Sequence, residues 1–236
     1  MTLYRLYLES GPKRKKTMVH VLELLGCVVT GPTTGEALEK TSEAIRTYLR
    51  FLQRHGEQVG DIEDVQTEIA EHITEGSWLG NGDPSLLFQP DTQPLTPEDV
   101  EIYIRHLTWS RAEIVELVSG LSEKQWQEKP EGARSIRFIL EHIFGAEYSY
   151  IRPFGKLEGV KGPGVVEKMS QDELLAWMAH VRASEIAKLR SLDEQQRSEP
   201  FKIVKITRTA RRTVRRMLEH EWEHLVELRE RLGVSG

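Results

Sequence analysis

From residue 96 onward the apolar side chains recur at helical spacing, in four segments divided by proline, glycine and other turn residues. The first opens on Thr96-Pro97-Glu98-Asp99: a capping hydroxyl, proline at the first helical position, then acids in the first turn. Tyr103, Leu107, Ile114, Leu117, Val118 and Leu121 continue it as one stripe. The second starts at Ser135 and carries Ile136, Ile139, Leu140, Ile143 and Tyr150. The third spans Gln171–Leu192 through Leu174, Met178, Val181, Glu185 and Leu189, and the fourth, Thr209–Leu232, carries Val214, Met217, Leu218, Leu225, Leu228 and Leu232. Each segment must bury one face. Four such faces close against one another, which predicts an all-α up-down four-helix bundle over residues 96–236.

Before residue 76 the apolar period is shorter. Leu3–Leu8 and Met18–Glu23 read as strands around a turn at Ser10–Lys16, whose run of basic residues suits a solvated hairpin tip. Cys27–Thr30 is a further short strand. A helix follows over Gly35–Arg54, with Ala37, Leu38, Ala44, Ile45, Tyr48, Leu49 and Leu52 on one face, and Gln66–Glu75 adds another strand. The expected unit is an α+β domain over residues 1–75, a small antiparallel sheet packed on one helix. Glycine, proline, asparagine and aspartate concentrate between the two units, and residues 76–95 are expected to be a linker. Phe201–Ile206 alternates and reads as a brief extended segment.

Several function classes are disfavoured by composition. A net charge of −5 argues against nonspecific nucleic-acid binding by the whole molecule. The single cysteine, Cys27, excludes an intrachain disulfide and makes the cytoplasm the expected compartment. No apolar run approaches the roughly 20 residues that cross a bilayer, and MTLYRLYLESGPKRKK has no apolar core of the kind a secretory signal carries.

The chemistry-bearing pattern lies in the last segment. In RRMLEHEWEHLVELRERL, His220 and His224 are four residues apart, on nearly the same face of a helix, so both imidazoles can bind one metal ion. Such a pair also occurs on solvated faces without a metal. A third ligand is offered by His142, at the edge of the stripe shared by Ile139 and Ile143, with little bulk at Gly145 and Ala146 one turn later. Three neutral imidazoles with an open position are a common arrangement for catalytic zinc and related divalent ions, although His142 alone also fits a satisfied buried histidine.

These residues carry a resemblance. SIRFILEHIFGAEYSYI, followed about eighty residues later by RRTVRRMLEHEWEHLVEL, is similar to the DinB-like (YfiT-like) superfamily of metal-binding four-helix bundles over residues 95–233. The resemblance implies a divalent ion, zinc, nickel or manganese, held by His142, His220 and His224. It further implies a thiol transferase or hydrolase in which that site activates a low-molecular-weight thiol, such as mycothiol or bacillithiol, or water, toward a small-molecule substrate. Bundles of this type often dimerise.

The first half, with ELLGCVVTG and TTGEAL followed by Gly56-Glu57, resembles HicB-like domains over residues 2–60, and Gly26 and Gly31 suit backbone with positive φ. Neither a helix-turn-helix nor a ribbon for DNA follows it, so operator binding is not implied. The alternative function is a non-catalytic regulatory or interaction protein; a toxin–antitoxin component is a weaker third reading.

Glu221, on the inward stripe, and His106, beside Leu107, are subsidiary catalytic candidates; pairing of Glu221 with an arginine and a structural His106 are the competing expectations. Arg208, Arg211, Arg212, Arg215 and Arg216 crowd the start of the fourth helix, where cations oppose its dipole. Structural pairing with acids, Arg215 with Glu219 among them, is expected in preference to binding a carboxylate or phosphate. Cys27 has nothing near it to lower a thiol pKa.

Overall fold

The computed structural model describes residues 2–234. Strands β1 (Thr2–Ser10), β2 (Lys15–Val21) and β3 (Val28–Thr33) precede helix α1 (Thr34–Arg54) and strand β4 (Val65–Ile73). Alternation sends Leu6 and Leu8 of β1, with their partners Val21 and Val19 of β2, to one face, where they join the core with Ala37, Ile45 and Leu49 of α1. Tyr7 packs instead with Leu79, Leu86 and Phe88. Gly26 has φ +107°, whereas Gly31 is needed for a different reason from the expected positive φ: a Cβ there would sit 2.5 Å from the Ala37 nitrogen, so β3 could not approach α1.

The strand order is β3-β2-β1-β4. β1–β2 and β2–β3 pair antiparallel, but β4 pairs parallel to β1. The sheet is therefore mixed, not antiparallel as expected. The cause is α1, which lies between β3 and β4 in the chain and acts as a crossover, returning the chain to the opposite sheet edge in the same direction.

The C-terminal part is helical. Four long helices are present among the described residues after residue 96: α2 (Pro97–Ser119), α4 (Ile136–Ile151), α5 (Gln171–Arg190) and α7 (Ala210–Leu232). Two five-residue helices, α3 (Glu123–Gln127) and α6 (Glu194–Ser198), and a hairpin of β5 (Phe201–Ile203) and β6 (Ile206–Arg208) lie between them. Side-chain caps explain where the long helices begin. Thr96 and Asp99 form a reciprocal capping box, as do Ser170 and Glu173, while Ser135 and Thr209 cap α4 and α7. No helix among the described residues is long and apolar enough to cross a membrane.

The larger of the apolar clusters runs continuously from the sheet into the helices. Trp222 of α7 meets Tyr48 and Phe51 of α1, with ring centroids 4.6 and 5.0 Å away. Beside it lies a buried polar joint: Arg215 grips Asp91 through two hydrogen bonds of 2.7 and 2.8 Å and donates to Glu219, which in turn lies 2.9 Å from the His20 ring. These contacts fix β2, α1 and residues 76–95 against α7.

Candidate metal centre

α4 packs on α7, and that contact brings the three histidines together. The His142 and His220 Nε2 atoms are 3.0 Å apart, and those of His220 and His224 are 3.2 Å apart. One nitrogen from each ring lies within 4.8 Å of the other two. His220 and His224 are buried, whereas His142 is open to solvent.

The electrostatics favour the neutral form of His142 and His220. Burial, reinforced by the neighbouring His224 and Arg216, pulls the His220 pKa down to about 2. His142 is lowered for the same reasons, burial first and then His224. His224 has its tautomer set from outside: a carboxylate only accepts, so its Nδ1–H donates to Glu227, 2.7 Å away. Arg134 holds Glu227 in turn, at 3.1 Å. Burial raises the Glu227 pKa, but the His224 and Arg134 contacts outweigh it and keep the carboxyl ionised.

With Nδ1 given to Glu227, Nε2 is the His224 nitrogen that faces the other two imidazoles. A tetrahedral ion with bonds of about 2.05 Å has ligand-to-ligand edges of about 3.3 Å, close to the 3.0 and 3.2 Å separations seen here. The donor set, its spacing and the carboxylate behind one ligand fit a divalent cation.

The subsidiary candidates lie elsewhere. Glu221 accepts from Arg111 Nε at 2.8 Å and from Arg182 at 2.5 Å, within a buried cluster that also holds Glu147 and Glu185. α2, α4, α5 and α7 each contribute to that cluster, which ties the helices together. His106 contacts the Leu25 carbonyl at 3.2 Å, Tyr48 and the face of Trp109, and burial lowers its pKa. Cys27 is buried, which pushes its thiol pKa up and removes it as a nucleophile.

A cavity of about 1110 Å³ opens beside the triad, and all three histidines line it. Helix α4 contributes Ala146 and Tyr150, whereas the neighbouring Gly145 faces Pro163. Much of the wall comes from the first half of the chain: Met18, Val28 and Thr30 from the sheet, Lys40 and Ala44 from α1. Trp78 and Gly82 add a further side. Sequence reasoning missed these contributors, because no local pattern places residues 18–44 against residue 220. It did single out the arginines near the start of α7, without foreseeing that Arg208, Arg212 and Arg216 line the same cavity.

A three-histidine cluster set between helices and opening on a cavity defines the class. The chain belongs to the DinB superfamily, whose family model matches residues 106–228. Among solved structures it is similar to YfiT from Bacillus subtilis, described as a probable metal-dependent hydrolase with an unusual four-helix bundle topology. That match covers 59% of this chain and 91% of YfiT at 17% identity, with a TM-score of 0.44. No curated protein matches the chain.

Proposed function

We propose that this protein is a divalent-metal-dependent enzyme, a hydrolase or a transferase using a low-molecular-weight thiol, with His142, His220 and His224 as the metal ligands. The observation that carries this reading is the convergence of three imidazoles on the wall of a large cavity. A histidine cluster serving only the fold would be closed over by side chains.

A zinc, nickel or manganese ion held there would bring the pKa of a bound water or thiol toward neutrality. The chain's own residues do the rest. Glu227 holds the His224 ring by its Nδ1–H and so keeps Nε2 free as a ligand. Burial keeps His220 unprotonated near neutral pH. The Tyr150 ring stands edge-on to His220, with centroids 6.1 Å apart, and lines the cavity beside the centre. The HicB-like half enters as part of the substrate enclosure, not as a DNA-binding unit. A non-catalytic interaction protein would have no use for that enclosure.

Metal analysis of the purified protein and of His220→Ala tests the proposal. The wild type is expected to carry about one equivalent of a divalent ion and the variant less than a tenth of that. Equal substoichiometric metal in both would sink it.

A further inference from the structure

Residues 208, 212, 216, 220 and 224 recur every four positions and read Arg, Arg, Arg, His, His. From Arg212 onward this spacing keeps side chains near one face of α7; Arg208 ends β6 just before that helix, and all five line the cavity. The arginines near the start of α7 therefore divide into two sets. Arg211 pairs with Asp99, and Arg215 with Asp91 and Glu219. Arg208, Arg212 and Arg216 turn the other way, toward the space beside the histidines.

Arg216 is compensated within the protein, by Glu223 at 2.8 Å. Arg212 is not. It is 2% exposed, and its Nη2 donates to the Asp83 carbonyl at 2.7 Å. Its Nε and Nη1 are buried with no hydrogen-bond partner, and among the described residues no carboxylate pairs with it. Burial, with Arg215, Arg208 and Arg216 nearby, pulls its pKa down to about 10, whereas Arg215 is raised well above the ordinary arginine value by its own carboxylates. Arg208 likewise has a buried Nε with no hydrogen-bond partner.

Of the other carboxylates lining the cavity, Glu43 pairs with Arg46 and Arg50, Glu223 with Arg216, and Glu227 with His224 and Arg134, while Glu230 lies 18 residues along from Arg212, about 27 Å down the helix axis. The backbone of residues 82–83 closes over the arginines. Gly82 sits at φ +77°, a Cβ on it would run into the Arg216 guanidinium, and Asp83 supplies the one acceptor Arg212 has. A guanidinium shut away from water without a counter-charge is costly to the fold. Its spare donors suit an oxyanion that arrives from outside.

We propose that Arg212, assisted by Arg208, binds a carboxylate or phosphate group of the small molecule that reacts at the three histidines. The substrate, or its thiol co-substrate, is thus an anion. Eight residues separate Arg212 from His220, about 12 Å along the helix axis, so the acidic group lies well away from the reacting atom. This assignment rests on the triad being the reactive centre.

Calorimetric titration of the full chain with inorganic phosphate and with succinate tests it, with neutral succinamide as control and metal content measured on the same samples. The wild type is expected to bind phosphate or succinate at one site and to ignore succinamide; the anion that binds identifies the group. Arg212→Gln should weaken that affinity at least tenfold and Arg208→Gln about threefold, the scale of a lost charge-assisted hydrogen bond. Ligand-free Arg212→Gln should melt no lower than wild type, since it sheds an uncompensated buried charge; a purely structural arginine would lower the melting temperature.

No binding of either anion by the wild type, or unchanged binding in both variants, overturns the proposal. Should Arg212→Gln fail to fold, Arg208→Gln decides alone. Anion binding by a protein without stoichiometric metal would leave this subsite standing and remove the metal reading instead.

Discussion

The buried cluster between the helices holds three carboxylates, Glu147, Glu185 and Glu221, and two guanidiniums, Arg111 and Arg182. One negative charge is left over, and its position can be assigned. Glu147 and Glu221 accept directed hydrogen bonds from both arginines, whereas neither Glu185 oxygen has one, although Arg182 Nε lies 3.1 Å away. Burial, together with the Glu147 charge, raises the Glu185 pKa well above the ordinary 4.5. Glu185 is therefore the carboxyl of the cluster that keeps its proton to higher pH in the fold than in the unfolded chain. For a group raised in this way, the stabilising contribution is present below the unfolded pKa and is lost as pH rises. Each pH unit over which the fold keeps this carboxyl protonated while the unfolded chain does not costs up to about 1.4 kcal/mol, which sets a ceiling of about 3 kcal/mol at pH 7. Glu185→Gln removes the titration and nearly keeps the shape. The variant should be more stable than wild type at pH 7, by up to about 3 kcal/mol, with the gain shrinking to below about 1 kcal/mol at pH 5. Urea unfolding followed by tryptophan fluorescence at the two pH values measures both numbers. A variant less stable than wild type at pH 7, by the same margin at pH 5, would mean that Glu185 is an ionised partner of Arg182 and would refute the charge assignment.

Two further substitutions probe the surroundings of the centre. Glu227→Gln takes the carboxylate from behind His224 and should weaken metal affinity by about 10- to 100-fold, read by competition with a chromophoric chelator at pH 7; an unchanged affinity would mean that Glu227 does not orient the ligand. Gly82→Ala forces a side chain into left-handed backbone and against the Arg216 guanidinium, and should cost about 1–3 kcal/mol in urea unfolding. A loss below about 0.5 kcal/mol would show that residues 82–83 do not press on the arginines.

Helix positions were legible in the sequence because their signals are local. Thr96 with Asp99, Ser135, Ser170 with Glu173, and Thr209 mark helix starts within three or four residues of the backbone they cap. The pairing of Arg215 with Glu219 was legible for the same reason. The direction of β4 was not, since parallel and antiparallel strands share a period of two. Glu221 shows the limit from another side. Its inward position is plain from the spacing of Leu218 and Leu225, but the partners that claim it, Arg111 and Arg182, lie 110 and 39 residues away. The division of the arginines into paired and unpaired sets was equally hidden. Asp91 and Asp99, which take up Arg215 and Arg211, are more than a hundred residues distant, and Arg212 stands out only once every carboxylate is placed.

Trp222 sits in the chain between the two histidines of α7 and is held by Tyr48 and Phe51. The helix that presents the imidazoles is thus wedged by an indole whose socket belongs to the opposite end of the polypeptide. Neither half is a spare part: severed near residue 85, one fragment would bare an aromatic hole and the other an unsheltered ring, and the walls around the reacting molecule would go with them. Insertion, shuffling or replacement of the leading half must carry that lock along, so both halves are expected to drift together, as one inherited piece.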